Sequence, residues 1–190
     1  MPKLTKQKMF FPFKVENRLR KCKNCELYKT RHKIVIGRGK IPADILFIGE
    51  KPNSVEDQIG LPYVGKVGLL FDKMIKDACS QLNTPLFSYY ISNIVLCRPV
   101  DKISGESRAT KRTDFESCLD NVFEIISYVK PKIVIYVGRV AERFLSKYLS
   151  EYKTFLIQNP NFIFKNGGIS CQYYHLTVQT LLDAIEELKK

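Results

Sequence analysis

Residues 44–68, DILFIGEKPNSVEDQIGLPYVGKVG, carry the clearest indication of the fold. They begin with Asp44 to Ile48, a short, apolar and partly β-branched run that is typical of a buried strand in an α/β sheet. Glu50 therefore stands at the carboxyl end of a strand, where open parallel sheets bind their ligands. A glutamate there can also simply cap the next element. The glycines that follow match neither the dinucleotide-binding nor the P-loop pattern, so Glu50 is a candidate residue of some other site.

The strand-then-helix pattern repeats along the rest of the chain. Such repeats predict an α/β fold, a three-layer α/β/α sandwich around a central, mostly parallel four-stranded sheet. No linker or internal repeat interrupts the 190 residues, so we expect a single domain over 1–190. The predicted strands cover about 44–49, 89–96, 132–137 and 154–158, and the predicted helices cover about 66–81, 113–128, 139–150 and 175–189.

The net charge of +12 lies almost entirely in a basic N-terminal arm, residues 1–40. The arm has 13 Lys and Arg against 2 acidic residues, whereas the other 150 residues have 18 against 17. Its cations, interleaved with Phe10, Phe11 and Phe13, are typical of a surface that binds nucleic acid. A solubilising face and a surface for anionic lipid are the alternatives. There is no membrane-spanning run and no secretion signal, so we expect a cytoplasmic protein with access to DNA.

The six cysteines point to a metal centre, because disulfide bonds are rare in intracellular proteins. Cys22 and Cys25 form a Cys-x-x-Cys pair, which is half of a site. Cys97 follows the second predicted strand and Cys118 lies in the first turns of a predicted helix, so these two are the best candidates for the missing ligands. Four thiolates suit tetrahedral zinc or a [4Fe–4S] cluster, and their spacing does not separate the two. The remaining cysteines, Cys79 and Cys171, are predicted to lie in the core.

Four motifs occur in order along the chain: CKNCELYKTR, GEKPNSVED, GLPYVGKVG and ISNIVLCRP. In this order they resemble the motifs of the family-4 uracil-DNA glycosylases, the iron–sulfur branch of the uracil-DNA glycosylase superfamily. The resemblance runs from Cys22 to about Asn166. It implies the glycosylase fold and a DNA glycosylase activity. It also implies a [4Fe–4S] cluster, in preference to zinc, held by Cys22, Cys25, Cys97 and Cys118.

By this resemblance, three distant side chains meet around a base flipped out of DNA. Glu50 takes the position of the catalytic carboxylate, which can orient water or stabilise positive charge on the deoxyribose. Tyr63 replaces the phenylalanine that stacks on the base, and Asn93 matches the asparagine whose amide pairs with a pyrimidine edge. The same base pocket includes Gly49, Lys51, Pro52 and Asn53, of which Lys51 and Asn53 depart from the family's alanine and glycine and leave base specificity open.

The chain departs from the family at its terminal His-Pro-Ala motif, where QNPNFIFKN stands. Asn159 takes the histidine position, and asparagine can donate a hydrogen bond but cannot be cationic. Losing a donor of this kind lowers rates by about 10²–10³-fold. Neither His32 nor His175 lies in a matching motif, so both are interpreted as structural or surface residues. The resemblance assigns DNA contacts to Gly65, Lys66, Pro160, Phe162, Ile163 and Lys165, with Phe162 or Ile163 as a wedge in the duplex unless they pack in the core.

These observations predict a monomeric DNA glycosylase that removes uracil or a related modified pyrimidine and leaves an abasic site. Two alternatives remain open. One is a catalytically weakened protein that keeps the fold and binds DNA without cutting the base. The other is a zinc-containing nucleic-acid protein that has no glycosylase pocket.

Overall fold

A five-stranded sheet forms the centre of the structure, a computed structural model that describes residues 13–190. The first part of the basic arm, with Phe10 and Phe11, lies outside the described residues. The strands are β1 (Arg38–Gly39), β2 (Ile45–Gly49), β3 (Tyr89–Asn93), β4 (Ile133–Val137) and β5 (Lys153–Ile157). Their order across the sheet is β1-β3-β2-β4-β5.

The four parallel strands, β2 to β5, are the four that the sequence predicts, so the mostly parallel sheet is confirmed. The additional strand β1 pairs antiparallel with β3, and its two residues are too few to show a hydrophobic period. Strand β3 ends at Asn93, three residues earlier than predicted. Beyond it, the N–H groups of Ile94 and Val95 donate to the carbonyls of Gly49 and Glu50, at 2.9 and 3.0 Å, and hold the end of β2 in place.

The four long predicted helices are present, and three shorter helices occupy segments predicted as loop or arm. The third predicted helix, over about 139–150, is shorter than expected. It ends at Leu145 and continues as a 3-10 turn over Ser146–Tyr148. The helices are α1 (Phe13–Arg20), α2 (Ser54–Ile59), α3 (Gly65–Gln81), α4 (Arg112–Val129), α5 (Arg139–Leu145), α6 (Pro160–Lys165) and α7 (Gln172–Glu187).

The sheet separates two hydrophobic cores, as strand β2 illustrates. Leu46 and Ile48 pack with residues of α4 and α5, whereas Ile45 and Phe47 pack with residues of α3 and α7. This alternation follows from the two-residue period of a strand and confirms the three-layer architecture. Cys79 and Cys171 lie in the core on the α3 and α7 side, as predicted. None of the helices within residues 13–190 is both long and apolar enough to cross a bilayer.

Candidate active site

The carboxyl ends of the parallel strands bring several predicted site residues to one edge of the sheet. Gly49 ends β2 and pairs in register with Asn93, the last residue of β3. Gly138 follows β4 and Asn159 follows β5. A Cβ built on Gly138 would lie 3.5 Å from the Cβ of Asn159, so these two segments are in contact. This is the edge at which open parallel sheets bind ligands.

Tyr63 and Asn93 both contact Gly49. A Cβ built on Gly49 would collide with Oη of Tyr63 and would lie 2.6 Å from Oδ1 of Asn93. Any side chain at position 49 would therefore displace one of these polar groups. The structure thus brings together three residues that the sequence assigns to one base pocket.

The amide of Asn93 has an unused hydrogen-bond donor. Only 1% of the residue is exposed, and its Nδ2 is buried without a hydrogen-bond partner among residues 13–190. Buried polar groups are almost always paired, so an unpaired amide marks a position suited to a polar ligand. Because solvent does not reach Nδ2, a ligand can pair with it only after part of the surrounding protein has moved.

Tyr63 is held in a left-handed backbone conformation, with φ of 48°, which is unfavourable for a tyrosine. Its N–H donates to Oε1 of Glu56 at 2.7 Å, and its carbonyl accepts from Nη2 of Arg38 at 3.2 Å. A Cβ on Gly68 would collide with the same carbonyl, so α3 approaches it through a glycine. The ring packs against Phe71 with 5.0 Å between ring centroids. Contacts on several sides therefore impose this conformation.

Two buried acidic groups in this region have raised pKa values. Burial raises the pKa of Tyr63 far above its usual value, and the carboxylates of Glu56 and Glu50 add to the effect. Tyr63 is therefore a neutral phenol that can donate or accept a hydrogen bond. Burial also raises the pKa of Glu56, although the backbone N–H groups of Asn53 and Tyr63 act in the opposite direction.

Glu50 is half-buried and is fixed at both its backbone and its side chain. Its carbonyl accepts a hydrogen bond from the N–H of Val95, and its Oε1 accepts one from the hydroxyl of Thr110 at 2.6 Å. Thr110 lies 60 residues further along the chain, and no motif or spacing connects it to Glu50. Sequence analysis missed this contact, and it also missed the support that Arg38 gives to Tyr63.

The other predicted pocket residues of this loop differ in their surroundings. Pro52 is buried, Lys51 is half-buried and Asn53 is exposed. Oδ1 of Asn53 accepts hydrogen bonds from the N–H groups of Val55 at 2.9 Å and Glu56 at 3.0 Å, and so caps helix α2. The amide oxygen of Asn53 is therefore committed to the helix.

Helix α6 carries the segment that departs from the family motif. Asn159 caps this helix, since its Oδ1 accepts from the N–H of Asn161 at 2.9 Å. Ile163 is fully buried against α3 and α7, so of the two predicted roles, wedge or core residue, the structure favours the core for Ile163. The physical reason is helical spacing, which places Ile163 on the same buried side as Pro160. Phe162 is 41% exposed and remains accessible.

Apart from Ile163, the predicted DNA-contacting residues are mostly at the surface. Gly65 and Lys66, which begin α3, are exposed, and a Cβ built on Gly65 would meet no atom of the described part of the chain within 4 Å. Lys165 is also exposed, at the end of α6. Pro160 is buried and supports the start of α6. The accessible members of the set are therefore Gly65, Lys66, Phe162 and Lys165.

The four predicted metal ligands converge in one part of the α4-side core. Cys97 and Cys118 are buried there, and the half-buried Cys22 and Cys25 pack against the same cluster. Burial raises the pKa of Cys97 to about 11 and that of Cys118 to about 12. The thiols of Cys22 and Cys25 also raise both pKa values. All four are free cysteines.

N–H donors face each of these sulfur atoms. Asn121 Nδ2 donates to Sγ of Cys22 at 3.5 Å, and Arg31 Nη1 donates to Sγ of Cys97 at 3.2 Å. The backbone N–H of Leu27 donates to Cys25, and that of Leu96 donates to Cys118. Such donors stabilise metal-bound thiolates, so the donor set fits an iron–sulfur cluster. However, no three His, Cys, Asp or Glu side chains among residues 13–190 are arranged so that they could hold a single metal ion.

Comparison with known proteins identifies the family. The sequence profile of the uracil-DNA glycosylase superfamily matches residues 36–182. The chain belongs to the uracil-DNA glycosylase superfamily. The match includes the Gly49 loop, strand β3 and the α6 segment, so the superfamily assignment covers the candidate site as well as the sheet.

Several curated relatives carry the name type-4 uracil-DNA glycosylase. The one from Pyrobaculum aerophilum is 30% identical over 132 residues, which cover 70% of this chain and 63% of the relative. Those from Sulfurisphaera tokodaii and Saccharolobus solfataricus are 30% and 32% identical, over 73% and 70% of this chain and 59% and 58% of the relatives. The chain thus spans less than two thirds of the length of these relatives.

Proposed function

We propose that this chain is a DNA glycosylase that hydrolyses the N-glycosidic bond of uracil, or of a related modified pyrimidine, and leaves an abasic site. The observation that carries the proposal is the buried, unpaired Nδ2 of Asn93 beside Gly49 and Tyr63. One amide offers both a donor and an acceptor, which is the combination that a uracil edge requires. Similarity to proteins named type-4 uracil-DNA glycosylase supports the same chemistry.

The residues around Asn93 suit a base that has left the DNA stack. The missing side chain of Gly49 leaves space for the Tyr63 hydroxyl and the Asn93 amide oxygen to lie side by side. The ring of Tyr63 is buried next to them and would offer its aromatic face to a base only once the pocket opens. Lys51, Pro52 and Asn53 form the neighbouring loop, in which the amide oxygen of Asn53 holds α2. Since Nδ2 of Asn93 is covered, entry of the base requires a local opening of this pocket.

Hydrolysis adds water to C1′ of the deoxyribose as the bond to the base nitrogen breaks. Positive charge develops on the sugar and negative charge on the leaving base. The carboxylate of Glu50 orients the water or stabilises the sugar charge. Oδ1 of Asn159 is used by α6, and its Nδ2 is the group that can donate to the leaving base. A neutral amide stabilises that negative charge less than a cation does, so we expect a slow reaction.

The DNA itself would lie across the exposed residues of the same edge. Lys66 and Lys165 supply positive charge for phosphates, and Gly65 allows the DNA backbone to approach closely. Phe162, which is partly exposed, takes the role of the wedge that fills the gap left by the flipped nucleotide. The basic arm adds a further contact, and we propose that the chain acts on intracellular DNA as a monomer.

The cysteines are proposed to hold a [4Fe–4S] cluster, with zinc as the alternative. When bound, the cluster would have a structural role and would hold the basic arm against the sheet. The ligands would be Cys22, Cys25, Cys97 and Cys118. Iron and acid-labile sulfide analysis, together with visible absorbance, would test this proposal. A colourless protein that contains zinc would contradict it, whereas Cys118→Ser should lose both iron and absorbance.

The experiment that tests the activity is an assay for abasic sites. Duplexes with a single uracil, and a panel with other modified pyrimidines, are incubated with excess protein and then cleaved at abasic sites by alkali. We expect product from uracil and none from an unmodified duplex, with Glu50→Gln as the inactive control. Tight DNA binding without product from any base would instead favour the catalytically weakened DNA-binding protein. The use of Asn159 as a helix cap is the observation that favours this second candidate.

A further inference from the structure

A side chain outside the family motifs contacts the candidate catalytic carboxylate. The hydroxyl of Thr110 donates to Oε1 of Glu50 at 2.6 Å, a length typical of a hydroxyl to carboxylate hydrogen bond. Both residues are half-buried, so the bond is partly shielded from solvent. Thr110 lies near the end of the segment 98–111, the later part of the connection from β3 to α4.

The position of Thr110 is itself fixed by its chain neighbours. Arg108 donates to both carboxylate oxygens of Asp114, at 2.7 and 3.0 Å. The N–H of Lys111 donates to Oδ2 of the same aspartate at 2.8 Å. Lys111 is the residue directly before helix α4. Arg108 also lowers the pKa of Asp114, against the effect of burial, so the aspartate keeps its charge near neutral pH. Thr110 therefore sits between two anchored residues.

The rest of the segment 98–111 is braced in a similar way. Nε of Arg98 donates to Oγ of Ser107 at 2.7 Å. Oδ1 of Asp101 accepts from the N–H groups of Ile103 and Ser104, which closes a tight turn. The hydroxyl of Thr110 is thus presented to Glu50 by an ordered segment.

We propose that Thr110 is a positioning residue for Glu50. This inference rests on the proposed glycosylase function. The backbone of Glu50 is fixed by Val95, so rotation of its side chain is the remaining freedom. The bond from Thr110 to Oε1 selects one side-chain conformation and leaves Oε2 for the water or the sugar. A group held in its reactive geometry before the substrate arrives needs no reorganisation in the transition state.

The test compares Thr110→Val, which keeps the shape and removes the hydroxyl, with Thr110→Ser, which keeps the hydroxyl. Thr113→Val is the matched control, because it makes the same change at an exposed position of α4. We expect Thr110→Val to lower the single-turnover rate on uracil DNA by roughly tenfold, with DNA affinity changed by less than about twofold. Thr110→Ser and Thr113→Val should stay within about threefold of the wild type. An unchanged rate for Thr110→Val, or a serine variant as slow as the valine variant, would overturn the inference.

A second measurement does not depend on activity. The melting temperatures of Thr110→Val, Glu50→Ala and the double variant form a cycle that reports whether the two side chains interact. We expect Thr110→Val to lower Tm by about 3 °C in the wild-type background and by clearly less when Glu50 is absent. Additive changes would show that the side chains do not interact and would overturn the inference. A wild-type protein that gives no abasic product would overturn the proposed function, and with it any effect of Thr110 on catalysis, even if the cycle is non-additive.

Discussion

The two halves of the candidate site differ in how firmly they are built. The β2 half, at the ends of β2 and β3, holds Tyr63 through Arg38, Glu56 and a glycine of α3, and Asn93 at the end of β3 presents a buried amide beside it. The half that follows β5 is the six-residue helix α6, capped by Asn159 and anchored by one buried isoleucine. The first half has groups suited to recognise a base. The second presents exposed aromatic and basic side chains, which suit a less specific contact with DNA.

This difference separates the expected effects of substitution. Changes in the β2 half should affect the chemical step and the stability together, because the same buried contacts serve both. Changes in the α6 half should alter the rate while leaving the melting temperature nearly unchanged, because most of its side chains are exposed. Each of the following predictions tests this division.

The largest expected effect is that of Glu50→Gln. Loss of the carboxylate removes the group that we propose to orient water or stabilise the sugar charge, so the single-turnover rate should fall by about 10³-fold. Glutamine keeps an acceptor for Thr110, and DNA affinity should stay close to that of the wild type. If the variant retained more than a tenth of the activity, the catalytic group would have to lie outside the β2 half.

Arg38→Met should reduce both activity and stability. The guanidinium donates to the carbonyls of Pro62 and Tyr63 and to Oδ1 of Asp72, at 3.0, 3.2 and 2.7 Å. Its loss leaves these acceptors unpaired and should lower the free energy of unfolding by about 2–3 kcal/mol, with a rate reduction of about tenfold or more. Urea unfolding and single-turnover kinetics would measure the two effects. Lys40→Met, at an exposed position just after β1, is the matched control, and equal effects of the two variants would contradict the prediction.

Asn159→His should increase the rate. A histidine at this position supplies a donor that can be cationic, which would stabilise negative charge on the leaving base more strongly than a neutral amide does. We expect a gain of up to about tenfold at pH 6, declining as the pH rises through the usual histidine range. Asn159→Ala controls for loss of the helix cap. If histidine gives no gain at any pH, the leaving base is stabilised elsewhere.

Phe162→Ala should slow cleavage of uracil in duplex DNA by a few-fold, because an inserted side chain repays part of the unstacking energy. Cleavage in single-stranded DNA should not change, since there is no gap to fill. The ratio of the two rates is the measurement, and Leu176→Ala, an exposed apolar position on α7, is the control. An equal loss on both substrates would argue against a wedge.

The smallest expected effect concerns the pH dependence of stability. Burial raises the pKa of Glu56 in the folded protein, so the folded state binds its proton more readily than the unfolded state does. Its contribution to stability is therefore present below the unfolded value, near 4.5, and is lost as the pH rises through the higher folded value. A glutamine at position 56 does not titrate. As the pH rises from 4 to 7, the Tm of the wild type should therefore fall relative to the Tm of Glu56→Gln. A constant difference would mean that the pKa of Glu56 is not raised.

The sequence predicted the sheet because β2 and β4 are continuous apolar runs, and β3 and β5 are rich in aromatic and β-branched residues. Two of the short helices, α2 and α6, have start signals in the sequence. Asn53 and Glu56 have the spacing of a capping box, and Asn159 before a proline is a typical helix start. Six residues are too few to show a helical period, which is why both segments were predicted as loops.

Other features left no trace in the sequence. The contact between Thr110 and Glu50 joins residues of ordinary type that are far apart along the chain. The burial of Ile163 depends on the direction of α6, which a hydrophobic side chain in a short segment does not reveal. Motifs predicted which residues gather at the site, whereas the contacts that orient them required the fold.

The placement of Thr110 has a consequence for how a cysteine centre would influence catalysis. The segment 98–111 starts directly after Cys97, and Cys118 lies two turns into the helix that follows it. A centre that joins these two cysteines would close the intervening chain into a ring and remove much of its conformational entropy in the unfolded state. Oxidation or loss of that centre would give the segment 98–111 more conformational freedom, including at Thr110, which contacts Glu50. The reaction would then slow although every base-contacting residue is still in place.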